Sequence, residues 1–189
     1  MKQHLRTAIL YTIFTGLLLG LGYPLAMTGI AHVFFPKQAS GELIVRNGSL
    51  IGSQLIGQPF TGPTYFHSRP SAAGSGYDAT ASSGSNLAAT SRALVDRVQQ
   101  SVSVEHQPSG GVPVDLVTAS GSGLDPDISP AAAYYQVPRI AQQRHLPEST
   151  VRDLVTAHIT PRQFGLLGEP RVNVLELNLA LDSLHPVRH

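Results

Sequence analysis

The longest uninterrupted apolar stretch of the chain lies near its N-terminus, where no Asp, Glu, Lys or Arg occurs between Arg6 and Lys37. About 20 apolar residues are needed to cross the hydrocarbon core of a bilayer as a helix. A secretory signal peptide has a shorter apolar region, about 7–15 residues, followed by a cleavage site of small residues. The length predicts an uncleaved transmembrane helix with its outer extension over residues 7–35, preceded by a short N-terminus at residues 1–6.

The charges on either side of this stretch are unequal. Lys2 and Arg6 precede it, whereas only Lys37 follows closely, with Glu42 nearby. The positive-inside rule therefore predicts a single-pass protein of the cell inner (plasma) membrane with a cytoplasmic N-terminus. Residues 36–189 are then expected to form a periplasmic domain.

Two glycines at helical spacing, Gly16 and Gly20, lie inside the apolar stretch. Small residues four apart let a second helix approach closely in lipid, so the pair predicts a helix-packing interface. The alternative is that glycine is simply frequent in membrane helices. Pro24 is expected to kink the helix or to mark its outer third. One helix cannot enclose a pore, so a transport role would require other chains.

After the apolar stretch, the pattern predicts a small mixed α+β domain. Two short strands are expected around an Asn47-Gly48 hairpin turn within residues 42–51. Residues 112–118, β-branched and bounded by glycines, predict a buried strand. The tail over residues 172–184 is ambiguous and could begin as a strand and continue as a helix capped by Asn173.

Three helices are predicted between these strands. The first is expected over residues 85–103, where an apolar stripe recurs at helical spacing. Ser129 followed by Pro130 is a cap-and-proline start, which predicts a helix to about Arg144. A further helix is expected to open at Pro147 and end near residue 158.

A long segment rich in Gly, Ser, Pro, Ala and Thr spans residues 59–86 and predicts a loop or linker. It contains an aromatic and basic cluster that a spacer would not need, which favours an ordered segment. Aromatic residues and arginine often anchor interfaces, so the cluster is a candidate docking element. The alternative is that its aromatic side chains only cover the core of the domain itself. The cluster comprises Tyr65, Phe66, His67, Arg69 and Pro70.

Composition excludes several kinds of chemistry. The chain has no cysteine, which rules out a disulfide scaffold and every cysteine-ligated metal site. Its two lysines, Lys2 and Lys37, do not follow a glycine-rich loop, so a Walker A motif is absent. No Gly-x-Ser-x-Gly elbow occurs, and Asp125-Pro-Asp127 is explained by a turn and helix cap. The histidines show no zinc-binding spacing. They are His4, His32, His67, His106, His145, His158, His185 and His189.

These exclusions predict that the chain carries no catalytic residue and no metal or cofactor site of its own. Beyond Lys37 it has 10 basic and 12 acidic residues, so no basic surplus points to nucleic acid as a partner. Membrane lipid is the expected surrounding of the N-terminal helix. The alternative class is a stand-alone membrane-anchored periplasmic enzyme or ligand-binding module.

Several short motifs follow one another in a fixed order along almost the whole chain, and together they are far more specific than any one alone. They are Gly-Tyr23-Pro24, Phe34-Phe35-Pro36-x-Gln38-Ala39-x-Gly41, Gly52-Ser-x-Leu-Ile-Gly-Gln58, Tyr65-Phe-His-x-Arg-Pro-Ser71, Gly84-Ser-Asn-Leu87, Val112-Pro-Val-x-Leu-Val-Thr-Ala-Ser120, Ser122-Gly-Leu-Asp125, Ile128-Ser-Pro-x-Ala-Ala133, Gln136-x-Pro-Arg139 and Val172-Asn-x-x-Glu-Leu-Asn-Leu-Ala-Leu-Asp182. This series resembles the C subunit of the bacterial potassium-transporting Kdp ATPase.

The resemblance implies an accessory subunit of a four-part pump that imports potassium with high affinity at the expense of ATP. Its partners would be a channel-like A subunit, a P-type ATPase B subunit and a small F subunit. The family's C subunit is described as a catalytic chaperone that raises the ATP affinity of the B subunit. ATP and potassium would thus act at the level of the complex.

One part of the implied chaperone role depends on a Leu-Ser-x-x-Gln-like stretch. The matching position is Leu146-Pro-Glu-Ser-Thr150, which lacks both the Ser and the Gln. The resemblance therefore leaves two alternatives open: direct contact of this chain with ATP, or an indirect effect on the pump's conformation.

Overall fold

The computed structural model describes residues 2–107 and 110–184, so His185 and His189 lie outside the described residues. The chain divides into two compact units, one ending at Ile51 and the other beginning at Gly52. Helices and short strands are mixed, and one N-terminal helix is apolar enough to span a membrane. These features confirm the predicted mixed α+β composition and the predicted apolar N-terminal helix.

The first unit is dominated by one continuous helical stretch over Lys2–Phe34, which is long and apolar enough to cross a membrane. It consists of α1 (Lys2–Leu17), a π-helical turn (Leu18–Gly22) and α2 (Tyr23–Phe34). The wider turn ends two residues before Pro24, which has no N–H and whose ring would collide with the carbonyl four residues earlier. The N–H of Tyr23 accordingly donates to the carbonyl of Leu18.

The predicted hairpin follows a short helix, α3 (Pro36–Ala39). Strands β1 (Leu43–Arg46) and β2 (Ser49–Ser53) form a two-stranded sheet. Asn47 and Gly48 between them have φ values of 52° and 77°. Positive φ at both central residues is what a type I′ turn requires, so the Asn-Gly signal is confirmed.

The second unit contains a three-stranded antiparallel sheet whose central strand is the last in sequence. The strands are β3 (Asp127–Ile128), β4 (Ile159–Thr160) and β5 (Arg171–Asn173), in the order β3-β5-β4. Val172 of β5 lies opposite Ile128 on one side and Ile159 on the other. Val172 is fully buried, so the centre of this small sheet belongs to the core.

The described residues of this unit include four α-helices: α4 (Arg92–Glu105), α5 (Pro130–Arg144), α6 (Glu148–Ala157) and α7 (Val174–Leu184). Helices α5, α6 and α7 bury one face each in a common core. The core is completed by residues from the loops and strands. Its fully buried members include Phe66, Ala132, Ala133, Val137, Ile140, Val151, Val155, Val172, Leu177 and Leu181.

Two of the predicted helix starts after residue 110 are confirmed together with their capping bonds. The hydroxyl of Ser129 accepts the N–H of Ala132 at 3.2 Å, and Pro130 occupies the first turn of α5. The side-chain oxygen of Asn173 accepts the N–H of Glu176 at 3.1 Å. Each bond satisfies an N–H that the helix itself leaves without a partner. The tail is therefore a strand that continues as a helix.

Two predicted elements are corrected. Helix α4 begins at Arg92 and not near residue 85, because Asn86 is left-handed with φ 51° and Ser91 is still extended with φ −72° and ψ 129°. Residues 112–118 form no strand. Pro113 cannot donate to a β ladder, and Val114–Leu116 instead make a single 3₁₀ turn that buries Leu116.

Candidate functional site

The backbone of Phe66 and His67 is held by two buried amide side chains. Asn178 of α7 accepts the N–H of Phe66 at 2.9 Å and donates to its carbonyl at 3.0 Å. Gln136 of α5 does the same for His67, at 2.7 Å and 3.2 Å. The two amides thus replace the neighbouring strand that an extended segment would otherwise need. We call this arrangement the amide clasp.

Phe66 is fully buried in the core, which makes the clasped segment part of the domain's interior. Buried polar groups are tolerated only when they are hydrogen-bonded, and here both amides and both peptide units satisfy one another. Gln136 also accepts a bond from Arg139 at 2.7 Å. The clasp therefore fixes the position of a segment that has no regular secondary structure.

Tyr65, just before the clasp, belongs to a charged cluster at the ends of α5 and α7. Its hydroxyl donates to Asp182 at 3.3 Å, and the guanidinium of Arg144 lies 4.7 Å from the centre of its ring. Arg144 also contacts Asp182 at 2.8 Å and donates to the carbonyl of Thr64 at 2.7 Å. Burial, followed by the charge of Asp182, raises the pKa of Tyr65 above its ordinary value. Tyr65 therefore donates in this cluster as a neutral phenol.

His67 lies on the other side of the clasp, beside helix α4. One ring nitrogen is 2.7 Å from the carboxylate of Glu105 and the other is 3.1 Å from the carbonyl of Gly62. Together with Pro70, His67 and Glu105 help to line an open cleft of about 310 Å³. The cleft has mixed walls, with Phe60 and Leu116 as apolar members. The pair of His67 and Glu105 ties α4 to the loop.

Arg69 forms an ion pair with Asp125, with 3.0 Å between the nitrogen and the oxygen. Both side chains line a second cleft of about 410 Å³ that also contains Asp115 and Asp127. The pKa of Asp127 is raised by burial, against the opposing effect of Arg171 at 3.0 Å. The acidic groups here already have protein partners, since Asp115 accepts the N–H of Ser129 at 2.8 Å.

The candidate docking cluster is thus brought together by the fold, and each of its members makes an internal contact. The carbonyl of Pro70, for example, accepts the N–H of Ser120 at 3.2 Å. These contacts support the alternative that the cluster stabilises the domain itself. Docking by Tyr65, Phe66, His67, Arg69 and Pro70 stays a prediction.

Gly16 and Gly20 lie in the long N-terminal helix, where a β-carbon added at either position would meet no atom within 4 Å. Both positions are exposed, as expected for residues that could accept a neighbouring helix. The stretch Leu146–Thr150 spans the junction of α5 and α6, and Leu146 packs against the core.

Sequence reasoning missed the two residues that position the site, Gln136 and Asn178. Each is a polar residue whose neighbours on the same helix face are apolar, as Val174, Leu175 and Leu181 are around Asn178. Such an amide on an otherwise buried face was the available signal, because it must find polar partners inside. In the described residues no group of three or more His, Cys, Asp and Glu side chains could hold a metal ion.

Comparison with known proteins identifies the family to which the chain belongs. The family model described as KdpC, the K+-transporting ATPase c chain, matches residues 5–183. A protein of Acidobacterium capsulatum named potassium-transporting ATPase KdpC subunit is 66% identical over 183 residues, covering 97% of this chain and all of that protein. Proteins of the same name from Koribacter versatilis and Gemmatimonas aurantiaca are 56% and 59% identical, and each covers at least 97% of this chain and has at least 94% of its own length matched. The chain therefore belongs to the KdpC family, the c chains of K+-transporting ATPases.

Proposed function

We propose that the chain is a non-catalytic, single-span subunit of an ATP-driven pump that imports potassium with high affinity. The observation that carries the proposal is the family match over residues 5–183. The architecture supports it, since one apolar helix precedes a unit whose buried amide side chains, Gln136 and Asn178, bond to the unit's own backbone. The chain supports assembly with a channel-like A subunit, a P-type ATPase B subunit and a small F subunit.

Its second role, by family resemblance, is to raise the ATP affinity of the B subunit as a catalytic chaperone. The stretch Leu146–Thr150 supports an indirect effect, because Leu146 contributes to the core and residues from Glu148 onward form the first turn of α6. The chain acts by favouring one conformation of the pump, which alters ATP affinity without contact between this chain and the nucleotide.

The proposed location is the cell inner membrane, with the N-terminus in the cytoplasm and the second unit in the periplasm. Lys2 and Arg6 before the helix support this orientation. The chain has no cysteine, so a single introduced cysteine reports on one position. In intact spheroplasts, a membrane-impermeant maleimide is expected to label Thr90→Cys and to reach Gln3→Cys only after permeabilisation. The opposite labelling pattern would disprove the orientation.

Helix packing is the proposed basis of assembly in the membrane. Replacing both Gly16 and Gly20 with leucine is expected to reduce recovery of the other pump subunits with the tagged chain about tenfold. The reason is that added side chains prevent a close approach of helices while keeping the span apolar. The measurement is co-purification from solubilised membranes, with equal membrane insertion as a requirement.

Gly29→Leu is the matched control, since a β-carbon there also meets nothing within 4 Å in the same helical stretch. It is expected to leave recovery unchanged. Equal recovery for the double variant and the control would argue against the packing role of Gly16 and Gly20.

A further inference from the structure

The loop between β4 and β5 is a closed hairpin-like projection, which we call the finger (residues 161–170). Gln163 and Leu167 exchange two backbone hydrogen bonds, each 2.9 Å long. The N–H of Gly165 donates to the carbonyl of Arg162 at 3.1 Å. These bonds fix the backbone of the tip, and Pro161 and Pro170 bracket the finger. The finger is therefore preorganised without help from the core.

The tip of the finger presents three large apolar side chains to solvent. Phe164 is 92% exposed, Leu166 81% and Leu167 60%. Removing a side chain of this size from water stabilises a folded protein. The domain lacks this stabilisation at three neighbouring positions, because their side chains remain in water. Contiguous exposed apolar groups of this kind mark interaction sites more often than isolated ones do.

The backbone at the tip also departs from the conformation that its residues prefer. Phe164 has a φ of 53°, in the left-handed region that a bulky side chain avoids. The hydrogen bonds that close the finger hold this conformation. Strain of this sort is typically retained where the side chain has a task in that orientation.

The charges around the tip argue against a lipid surface as the occupant. Arg162 is paired with Glu169 in the finger, and Arg171 at its base is paired with Asp127. Segments that bind anionic headgroups usually offer basic residues in excess of acidic ones. The charged side chains beside the tip instead form two ion pairs of zero net charge. This neutrality favours an apolar pocket in another protein over an anionic lipid surface.

A second copy of this chain is also a poor occupant of the tip. A stable interface between two proteins buries roughly 1,200–2,000 Å² in total. An aromatic side chain buries about 150–250 Å². Leucine is smaller, and Leu166 and Leu167 are already partly buried, so a contact confined to two tips of three residues stays at or below the lower limit of that range. A few anchoring residues suffice, however, when they belong to a larger interface between different subunits.

We propose that the finger is a docking element that inserts Phe164, Leu166 and Leu167 into an apolar pocket on another subunit of the potassium pump. This inference rests on the proposed function of the chain as a pump subunit. A closed tip loses little conformational freedom on binding, so most of the gain from burying its side chains contributes to affinity.

Photocrosslinking in the intact complex tests the occupant directly. Phe164 is replaced by p-benzoylphenylalanine in the full chain, which is expressed together with the other pump subunits and irradiated in membranes. The expected result is an adduct with one other pump subunit, identified by mass spectrometry. An adduct with lipid, an adduct with a second copy of this chain, or no adduct would overturn the proposal.

The same probe at Val114 is the control, since Val114 is 64% exposed in the same unit. It should give a clearly lower yield of the adduct with the pump subunit. An equal yield would overturn the assignment to the finger.

A paired variant tests whether the contact contributes to assembly. Phe164→Ser combined with Leu166→Ser is expected to reduce recovery of the other subunits at least tenfold without changing the melting temperature of the full chain. Unchanged recovery, or a loss of recovery that accompanies a lower melting temperature, would overturn the proposal. Failure of the unaltered chain to recover any pump subunit would instead disprove the proposed function, whichever result the finger variants give.

Discussion

Replacing Arg144 with alanine is expected to lower the free energy of unfolding by about 3 kcal/mol, the lower end of the range for breaking a buried ion pair. The Arg144 side chain is only 1% exposed, and it joins Asp182, the carbonyl of Thr64 and the ring of Tyr65. Its removal leaves the acidic side chain and the carbonyl without their cation. Denaturant unfolding of the purified full chain, followed by circular dichroism, measures the change.

Arg152→Ala is the matched control for this experiment. Arg152 also stacks on a tyrosine, at 5.3 Å from the ring of Tyr134, but it lies on the exposed face of α6. Its loss should cost less than about 1 kcal/mol, the usual size of an exposed cation–π contact. Equal losses from the two arginines would contradict the role assigned to the buried ion pair.

Replacing Gly123 with alanine is expected to destabilise the second unit by about 2–5 kcal/mol, the sum of left-handed strain and overpacking. Gly123 has a φ of 69°, and a β-carbon there would lie 2.7 Å from the backbone nitrogen of Ala73 and from the carbonyl oxygen of Ser83. Two backbone segments would have to move apart. A lower melting temperature of the full chain is the measurement.

Gly121→Ala provides the control two residues away in the same loop. A β-carbon at Gly121 meets no atom within 4 Å, and its φ is not in the left-handed region. The change should alter stability by less than about 1 kcal/mol and could raise it, because alanine restricts the unfolded chain. A comparable loss at both glycines would show that close packing around Gly123 is not the cause.

The elements that the sequence predicted correctly are those whose signals are local. The cap of Ser129 on α5 and the cap of Asn173 on α7 each act over three residues, so a short window contains both partners. The Asn47-Gly48 turn is equally self-contained. Capping and turn signals that act over a few residues establish where helices and strands begin and end when no tertiary contact opposes them.

The features that the sequence did not predict correctly are the turn at residues 112–118, the amide clasp and the finger. The β-branched residues within 112–118 predicted a strand. Pro113, however, has no N–H to donate to a neighbouring strand, so it disfavours a place in a buried sheet. The clasp joins Phe66 to Asn178 across 112 positions of sequence. No local pattern indicates such a pairing. The finger has a local signal, an apolar Phe-Gly-Leu-Leu run between Pro161 and Pro170. This short run has neither the helical nor the strand period, so it predicts no regular element.

The amide clasp and the central position of β5 make the second unit depend on residues that are synthesised after its other described elements. Strand β5 supplies the middle of its sheet, and α7 supplies Asn178, so both contributions come from the stretch Arg171–Leu184. Domains generally fold as units while the chain emerges N-terminus first. A nascent chain that stalls before Arg171 would already contain its apolar N-terminal helix, yet the sheet would lack its central strand and Phe66 would lack the bonds from Asn178. Such a chain is expected to expose core residues to water, and the second unit closes only once Arg171–Leu184 has been made.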